Sequence, residues 1–130
     1  MIVLDASVVV ELLLGTMAGR GIQSRLQAAR ESLHAPALMD LEVAQVLRRL
    51  AANGELSATR GRHAIEDLAD IPIRRYPHLP FIQRIWQLRS NVTAYDAAYV
   101  ALSEELGAPL LTRDAKLAGA RRHHARIEVV

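Results

Sequence analysis

Short unbroken apolar runs alternate along this chain with longer stretches whose apolar residues recur every three or four positions. Met1 to Leu4 is a continuous apolar run, the pattern of a strand buried on both faces, and Asp5 ends it. Val8 to Leu14 reads as a first helix, with its valines leaving a strand open as the alternative. Gly15, Gly19 and Gly21 are expected to break the chain before a second helix carrying Ile22, Leu26, Ala29 and Leu33 at helical spacing. A second short strand is expected around Leu33-His34-Ala35, closed by Pro36. Val43, Val46, Leu47 and Leu50 then mark one face of a helix ended by Asn53-Gly54.

Ser57 fits the N-cap of the next helix, with Ile65 and Leu68 facing inward. Ile71-Pro72-Ile73 suggests a third strand or an edge segment, because proline cannot donate to a ladder. Pro80 suits the start of a helix carrying Phe81, Ile82, Ile85 and Leu88. Thr93 opens another that runs to Leu106 and stops at Gly107. Pro109 to Thr112 reads as a strand, Ala115 to Ala120 as a short helix and Ile127 to Val130 as a last strand. Alternation of this kind predicts an α/β fold with a mainly parallel central sheet flanked by helices. No repeat, linker or low-complexity stretch divides the 130 residues, which match one domain in length.

Composition narrows the chemistry. About half the residues are apolar, enough for a core without staples, and the absence of cysteine excludes disulfides, zinc–thiolate sites and thiol catalysis. Met1 to Leu14 lacks a basic leading region, and Asp5 and Glu11 interrupt it short of spanning length, so it is expected to belong to the fold of a soluble protein. Every basic residue except Lys116 is an arginine, with doublets at Arg48–Arg49, Arg74–Arg75 and Arg121–Arg122. Arginine suits bidentate phosphate recognition, although genome composition produces the same bias, and a net charge of +2 permits a nucleic-acid partner without demanding one. Gly15 to Gly21 lacks the Gly-Lys-Ser/Thr ending of a phosphate loop, and the adjacent His123 and His124 do not have metal-ligand helical spacing. Tyr95 and Tyr99 are spaced to stack bases but equally to pack, and Trp86 is expected at the margin of the core.

Parallel sheets carry their functional groups at the carboxyl ends of the strands. Asp5 follows the first strand directly and Asp114 follows Leu111-Thr112, while Glu42 and Asp96 fall in the first turns of helices. A parallel sheet would bring all four to one edge. Clustered carboxylates repel strongly and persist when protons or a divalent cation neutralise them. An all-oxygen donor set favours Mg²⁺ or Mn²⁺, and such an ion suits phosphodiester hydrolysis. Each acid also has a structural role open to it. Asp96 completes a Thr93-x-x-Asp96 capping pair, Asp114 suits an N-cap, and Glu42 complements a helix dipole. Asp5, directly after a buried strand, is costly there without a partner.

The motifs Ile2-Val3-Leu4-Asp5-Ala6-Ser7, Ala35-Pro36 through Glu42-Val43-Ala44, Thr93-Ala94-Tyr95-Asp96-Ala97-Ala98-Tyr99 and Leu110-Leu111-Thr112-Arg113-Asp114 resemble, in order and spacing, the PIN-domain nucleases and among them the VapC toxins. The resemblance covers nearly the whole chain. It implies a single PIN domain over residues 1–130, a three-layer α/β fold, and a metal-dependent endoribonuclease toxin cutting RNA such as tRNA or rRNA. It implies Asp5, Glu42, Asp96 and Asp114 as the catalytic acids, with Asp5, Asp96 and Asp114 on the Mg²⁺ or Mn²⁺ ion. Glu42 would bind metal or position water, and Ser7 and Thr112 would support the ligands. It also implies a cytoplasmic homodimer neutralised by a VapB-like antitoxin, with a binding groove expected along the helices between Val43 and Leu68. Two other readings stand beside it: a PIN fold that binds RNA or protein without cutting, and a receiver-like phospho-acceptor domain, which this chain serves poorly because Lys116 falls inside a helix.

Overall fold

The computed structural model describes residues 1–130. In chain order the elements are β1 (Ile2–Leu4), α1 (Ala6–Leu14), α2 (Met17–Ala29), β2 (Leu33–Pro36), α3 (Met39–Ala52), α4 (Ala58–Asp70), β3 (Ile73–Tyr76), a 3-10 turn (Leu79–Phe81), α5 (Ile82–Gln87), α6 (Ala94–Leu106), β4 (Leu110–Thr112), α7 (Ala115–Ala118) and β5 (Ile127–Val129). The five strands form one sheet in the order β3-β2-β1-β4-β5, and every pairing is parallel. The chain first moves outward from β1 to β2 and β3, then returns to the other side of β1 for β4 and β5. Right-handed crossovers therefore place α1 to α4 on one face and α5 to α7 on the other. The reversal of direction makes a switch point between β1 and β4, at their carboxyl ends.

The central strands β1 and β4 are almost wholly apolar because both faces are covered: Val3, Leu4, Leu110 and Leu111 have no exposed surface, and Thr112 alone is polar. Helix α6 is buried without a break from Ala97 to Ser103, which explains why its sequence shows so little sidedness. Its small alanines let it approach β1, β2 and β4 closely. His34, in the middle of β2, satisfies both ring nitrogens, one with the Tyr76 hydroxyl and one with the Ser32 hydroxyl, each at 2.8 Å.

Several sequence expectations need correction. Gly15 does end α1, in the left-handed region at φ +59°, but Gly19 and Gly21 lie inside α2. Gly19 is there for contact, since a Cβ at that position would fall 2.0 Å from the Glu11 carbonyl oxygen. It is the point where α2 crosses α1 without intervening side chains. Leu33 belongs to β2 and not to the preceding helix, and the third strand is Ile73–Tyr76, following Pro72 instead of containing it. Ile65 faces outward at 44 % exposure while Leu68 is buried, and Trp86 is 66 % exposed, with the Arg89 guanidinium over its ring. Pro80 is the second residue of a 3-10 turn that leads into a shorter helix.

An ion pair fastens α5 and the carboxyl-terminal segment to α6. Arg84 donates from Nε and Nη2 to the two oxygens of Glu104 at 2.8 and 2.9 Å, and the His124 amide donates to the same carboxylate. These donors, Arg84 first, hold the Glu104 carboxyl below its usual range against the opposing effect of burial. A lowered folded-state pKa stabilises the fold above the unfolded value and loses that contribution as pH falls through the folded value. Glu104→Gln is expected to destabilise the protein at neutral pH by about 1–3 kcal/mol. Chemical denaturation should show the gap from wild type closing below about pH 4, where unfolded glutamates protonate. A gap that stays constant down to strong acid would mean that the charge on Glu104 is irrelevant to the fold.

Candidate active site

Asp5 is the N-cap residue of α1 at the carboxyl end of β1, and its side chain is buried. Such a carboxylate requires donors, and two hydroxyls supply them: Thr112 Oγ1 at 2.6 Å and Ser7 Oγ at 2.8 Å. Both donate to Oδ2. Behind them, the Asp114 amide donates to Thr112 Oγ1 and the Arg113 amide to Ser7 Oγ, each at 3.0 Å. The network ties the end of β1 to the end of β4 across the switch point, and it leaves Oδ1 of Asp5 without a protein donor.

Glu42 sits in the first turn of α3 and accepts a 2.7 Å hydrogen bond at Oε1 from the hydroxyl of the fully buried Tyr99. Asp96 lies in the first turn of α6, where the Thr93 hydroxyl caps the helix by accepting from the Asp96 amide. Asp114 is the N-cap of α7, its Oδ1 accepting from the Lys116 amide at 2.8 Å. The capping roles weighed from sequence are therefore real for Asp114 and for Thr93. They coexist with a shared location, because Asp5, Glu42, Asp96 and Asp114 line one cleft of about 470 Å³ together with Ser7 and the exposed Tyr95. Another cavity of about 420 Å³, walled by Leu12, Leu13, Leu26 and Leu33, lies at the opposite edge of the sheet and includes none of these acids.

Glu42 and Asp96 respond to the charges around them. Burial first, then the Asp5 and Asp114 charges, push the Asp96 carboxyl above its ordinary range. Glu42 is raised by burial and by Asp5 and Asp96, against the stabilising hydrogen bond from Tyr99. The Tyr99 hydroxyl is held protonated, mainly by burial and then by Glu42, and so acts as a donor. The side chains surround the cleft without three of them closing on one ion-sized point. Asp5 Oδ1, Glu42 Oε2 and Asp114 Oδ2 receive no protein donor, and no buried polar atom is left unpartnered, so these oxygens are open to the cleft. Open, mutually repelling carboxylate oxygens are the donor set that suits a hard divalent cation.

Asp40 is not part of this group, since it receives a bidentate pair from Arg75 at 2.7 and 2.9 Å. Sequence reasoning missed the anchoring role of Tyr99. No local signal gives it, since its partner Glu42 lies 57 residues away on another helix. Tyr95 and Tyr99, paired by spacing, do different things: one is buried under Glu42 and the other is exposed at the rim.

Three comparisons bear on this arrangement. The PIN domain family model matches residues 2–122. Ribonuclease VapC12 of Mycobacterium tuberculosis is 46 % identical over 130 residues, covering 100 % of this chain and 99 % of that protein. Ribonuclease VapC9 of the same organism is 42 % identical, covering 100 % and 98 %. Among solved structures, PAE2754 from Pyrobaculum aerophilum superposes with a TM-score of 0.69 at 25 % identity, covering 96 % of this chain and 81 % of that one. The sarcin-ricin loop cleaving toxin VapC20 of Mycobacterium tuberculosis gives 0.66 at 16 % identity, covering 92 % and 94 %, and so supports the fold.

Thr112→Val keeps the shape of the side chain but removes a donor from a buried carboxylate. It is expected to lower the unfolding free energy by about 1–3 kcal/mol, read from the urea midpoint at neutral pH. Ser7→Ala should have a smaller effect, because Ser7 is only half-buried. An unchanged midpoint for Thr112→Val would show that Asp5 does not depend on that hydroxyl.

Proposed function

Because the chain belongs to the PIN-domain family and, within it, to the VapC ribonucleases, we propose that residues 1–130 act as one domain that hydrolyses RNA phosphodiester bonds with Asp5, Glu42, Asp96 and Asp114. It is the endoribonuclease toxin of a toxin–antitoxin pair, and a VapB-type antitoxin is its protein partner. The observation that carries the reading is the convergence of four carboxylates, from four separate elements, on one cleft at the switch point of a parallel sheet.

Asp5, Asp96 and Asp114 would hold Mg²⁺ or Mn²⁺ partly through bound waters, since no three side chains close on one point. When bound, the ion supplies positive charge against the phosphoryl oxygens and lowers the energy needed to deprotonate water. The protein supplies orientation. Thr112 and Ser7 fix Asp5 so that Oδ1 faces the cleft, and Thr93 sets the first turn of α6 that presents Asp96. Tyr99 holds Oε1 of Glu42, which leaves Oε2 to orient water and accept its proton.

No helix is long and apolar enough to cross a membrane, and the proposed setting is the cytoplasm. The proposed assembly is a homodimer. Leu79 and Ile82 are both exposed, three residues apart where the 3-10 turn leads into α5, an apolar patch that suits a self-complementary contact. Sedimentation should give twice the monomer mass at micromolar concentration, and Leu79→Glu should return the protein to monomer. A wild-type monomer under those conditions overturns the assembly.

The activity is tested by incubating purified, antitoxin-free protein with total cellular RNA and Mg²⁺, Mn²⁺ or EDTA, beside Asp96→Asn. Discrete fragments are expected with either ion and none with EDTA. Asp96→Asn should lose at least about 100-fold in rate while melting at or above the wild-type temperature, because a repelling charge is gone. Folded protein that cuts no RNA with either ion would move the reading to a PIN fold that binds RNA or protein without cutting.

A further inference from the structure

The acidic cleft has a neighbour. A second cleft of about 430 Å³ shares Asp96 and Asp114 with the first, and its remaining polar wall includes Arg89, Asn91, Thr93 and Lys116. The two acids thus stand between two hollows. A polynucleotide with its scissile phosphate at the acids must continue beyond them, and its next phosphates meet a site whose carboxylates repel them. Cations beside the acids are the physical remedy. Arg89 and Lys116 are both exposed, and neither has a carboxylate within 4.0 Å, although Lys116 lies two residues from Asp114.

Arg89 is also held in place. Its guanidinium stacks 4.6 Å from the centroid of the Trp86 ring, and its Nη1 donates to the Trp86 carbonyl at 2.9 Å. Stacking and one backbone hydrogen bond fix the plane of the group while leaving Nε and Nη2 free to donate, so little side-chain entropy remains to be lost on binding. Lys116 enters the same cleft from α7, two residues after Asp114.

We propose that Arg89 and Lys116 hold the phosphate of a nucleotide flanking the scissile bond, making the second cleft the subsite that sets the register of the RNA strand against the acids. The inference rests on the nuclease reading. Arg89 and Lys116 are binding residues, and their contribution is to affinity and not to the chemical step.

The probe is a fluorescein-labelled single-stranded RNA copied from a fragment junction mapped in the total-RNA digest, cleaved under steady-state conditions with Mn²⁺ across a range of KCl. The double variant Arg89→Gln/Lys116→Gln should raise KM on the order of tenfold at moderate salt, with kcat within about twofold of wild type. It should also flatten the dependence of log KM on log salt by about 0.7, as expected for one lost phosphate contact to single-stranded RNA. Arg89→Lys should recover part of the KM. Arg30→Gln, in the loop entering β2 at the opposite edge of the sheet, removes the same charge and should change neither parameter. Unaltered KM and salt slope in the double variant overturn the assignment while leaving the nuclease intact. A fall in kcat at constant KM also overturns it, by moving these residues into the chemistry. A wild-type protein that cuts no RNA overturns the nuclease reading and this subsite together.

Discussion

A carboxylate at the end of a buried strand is the constraint around which the molecule is arranged. Asp5 sits where β1 leaves the sheet, next to strands with no exposed surface, and an ionised group there is tolerated only with donors. One donor is local and one is distant in sequence, Ser7 two residues on and Thr112 from β4. Since Thr112 also accepts from the Asp114 amide, the satisfaction of one acid places the next. Because the two hydroxyls converge on a single oxygen of Asp5, the other is kept for the cleft. The strand order supports this, because β1 and β4 are neighbours only as a result of the reversal in the crossover direction.

How much of this was legible in the sequence depended on whether the signal was local. Asp5, Asp96 and Asp114 follow apolar runs or caps that can be read residue by residue, and the ends of α1, α4 and α6 fell where Gly15, Ser57, Thr93 and Gly107 placed them. The errors have a common source in packing between distant segments. Gly19 looked like a breaker because glycine is a poor helix former, yet the helix continues through it because Glu11 of the neighbouring helix needs the space. Hydrophobicity alone turns Ile65 inward and sets Trp86 at the margin of the core, yet both are exposed. The third strand was displaced because Ile71-Pro72-Ile73 looked more apolar than Arg74-Arg75-Tyr76. The arginines fit a strand because Arg75 folds back on Asp40 and Arg74 lies over the Tyr76 ring.

The candidate site divides in the same way. The four acids were visible as residue types at suitable positions, but the groups that orient them were only partly so. Ser7 and Thr112 sit beside acids in sequence and were found. Tyr99 is 57 residues from Glu42, and no local pattern connects them. Its ring is buried within an apolar helix, so hydrophobicity accounted for it fully without revealing that its hydroxyl spans from α6 to α3. A fold-level interaction of that kind becomes visible only when the helices are placed.

Two kinds of arginine in this chain have different physical roles. Arg75 and Arg84 lie away from the acidic cleft, and each makes a bidentate pair with one carboxylate, Asp40 and Glu104, that fastens one element to another. Their charge is already neutralised and contributes little to the field at the sheet edge. Arg89, with Lys116, has no such partner and stands beside Asp96 and Asp114. An acidic centre meant for a polyanion poses two separate problems, namely holding like charges together and drawing in a substrate they repel. Here the first is met by neutral hydroxyls, which orient the carboxylates without cancelling their charge. The second falls to cations far enough from the carboxylates to avoid pairing with them, because an arginine in direct contact with Asp96 or Asp114 would occupy the oxygens that the chemistry requires.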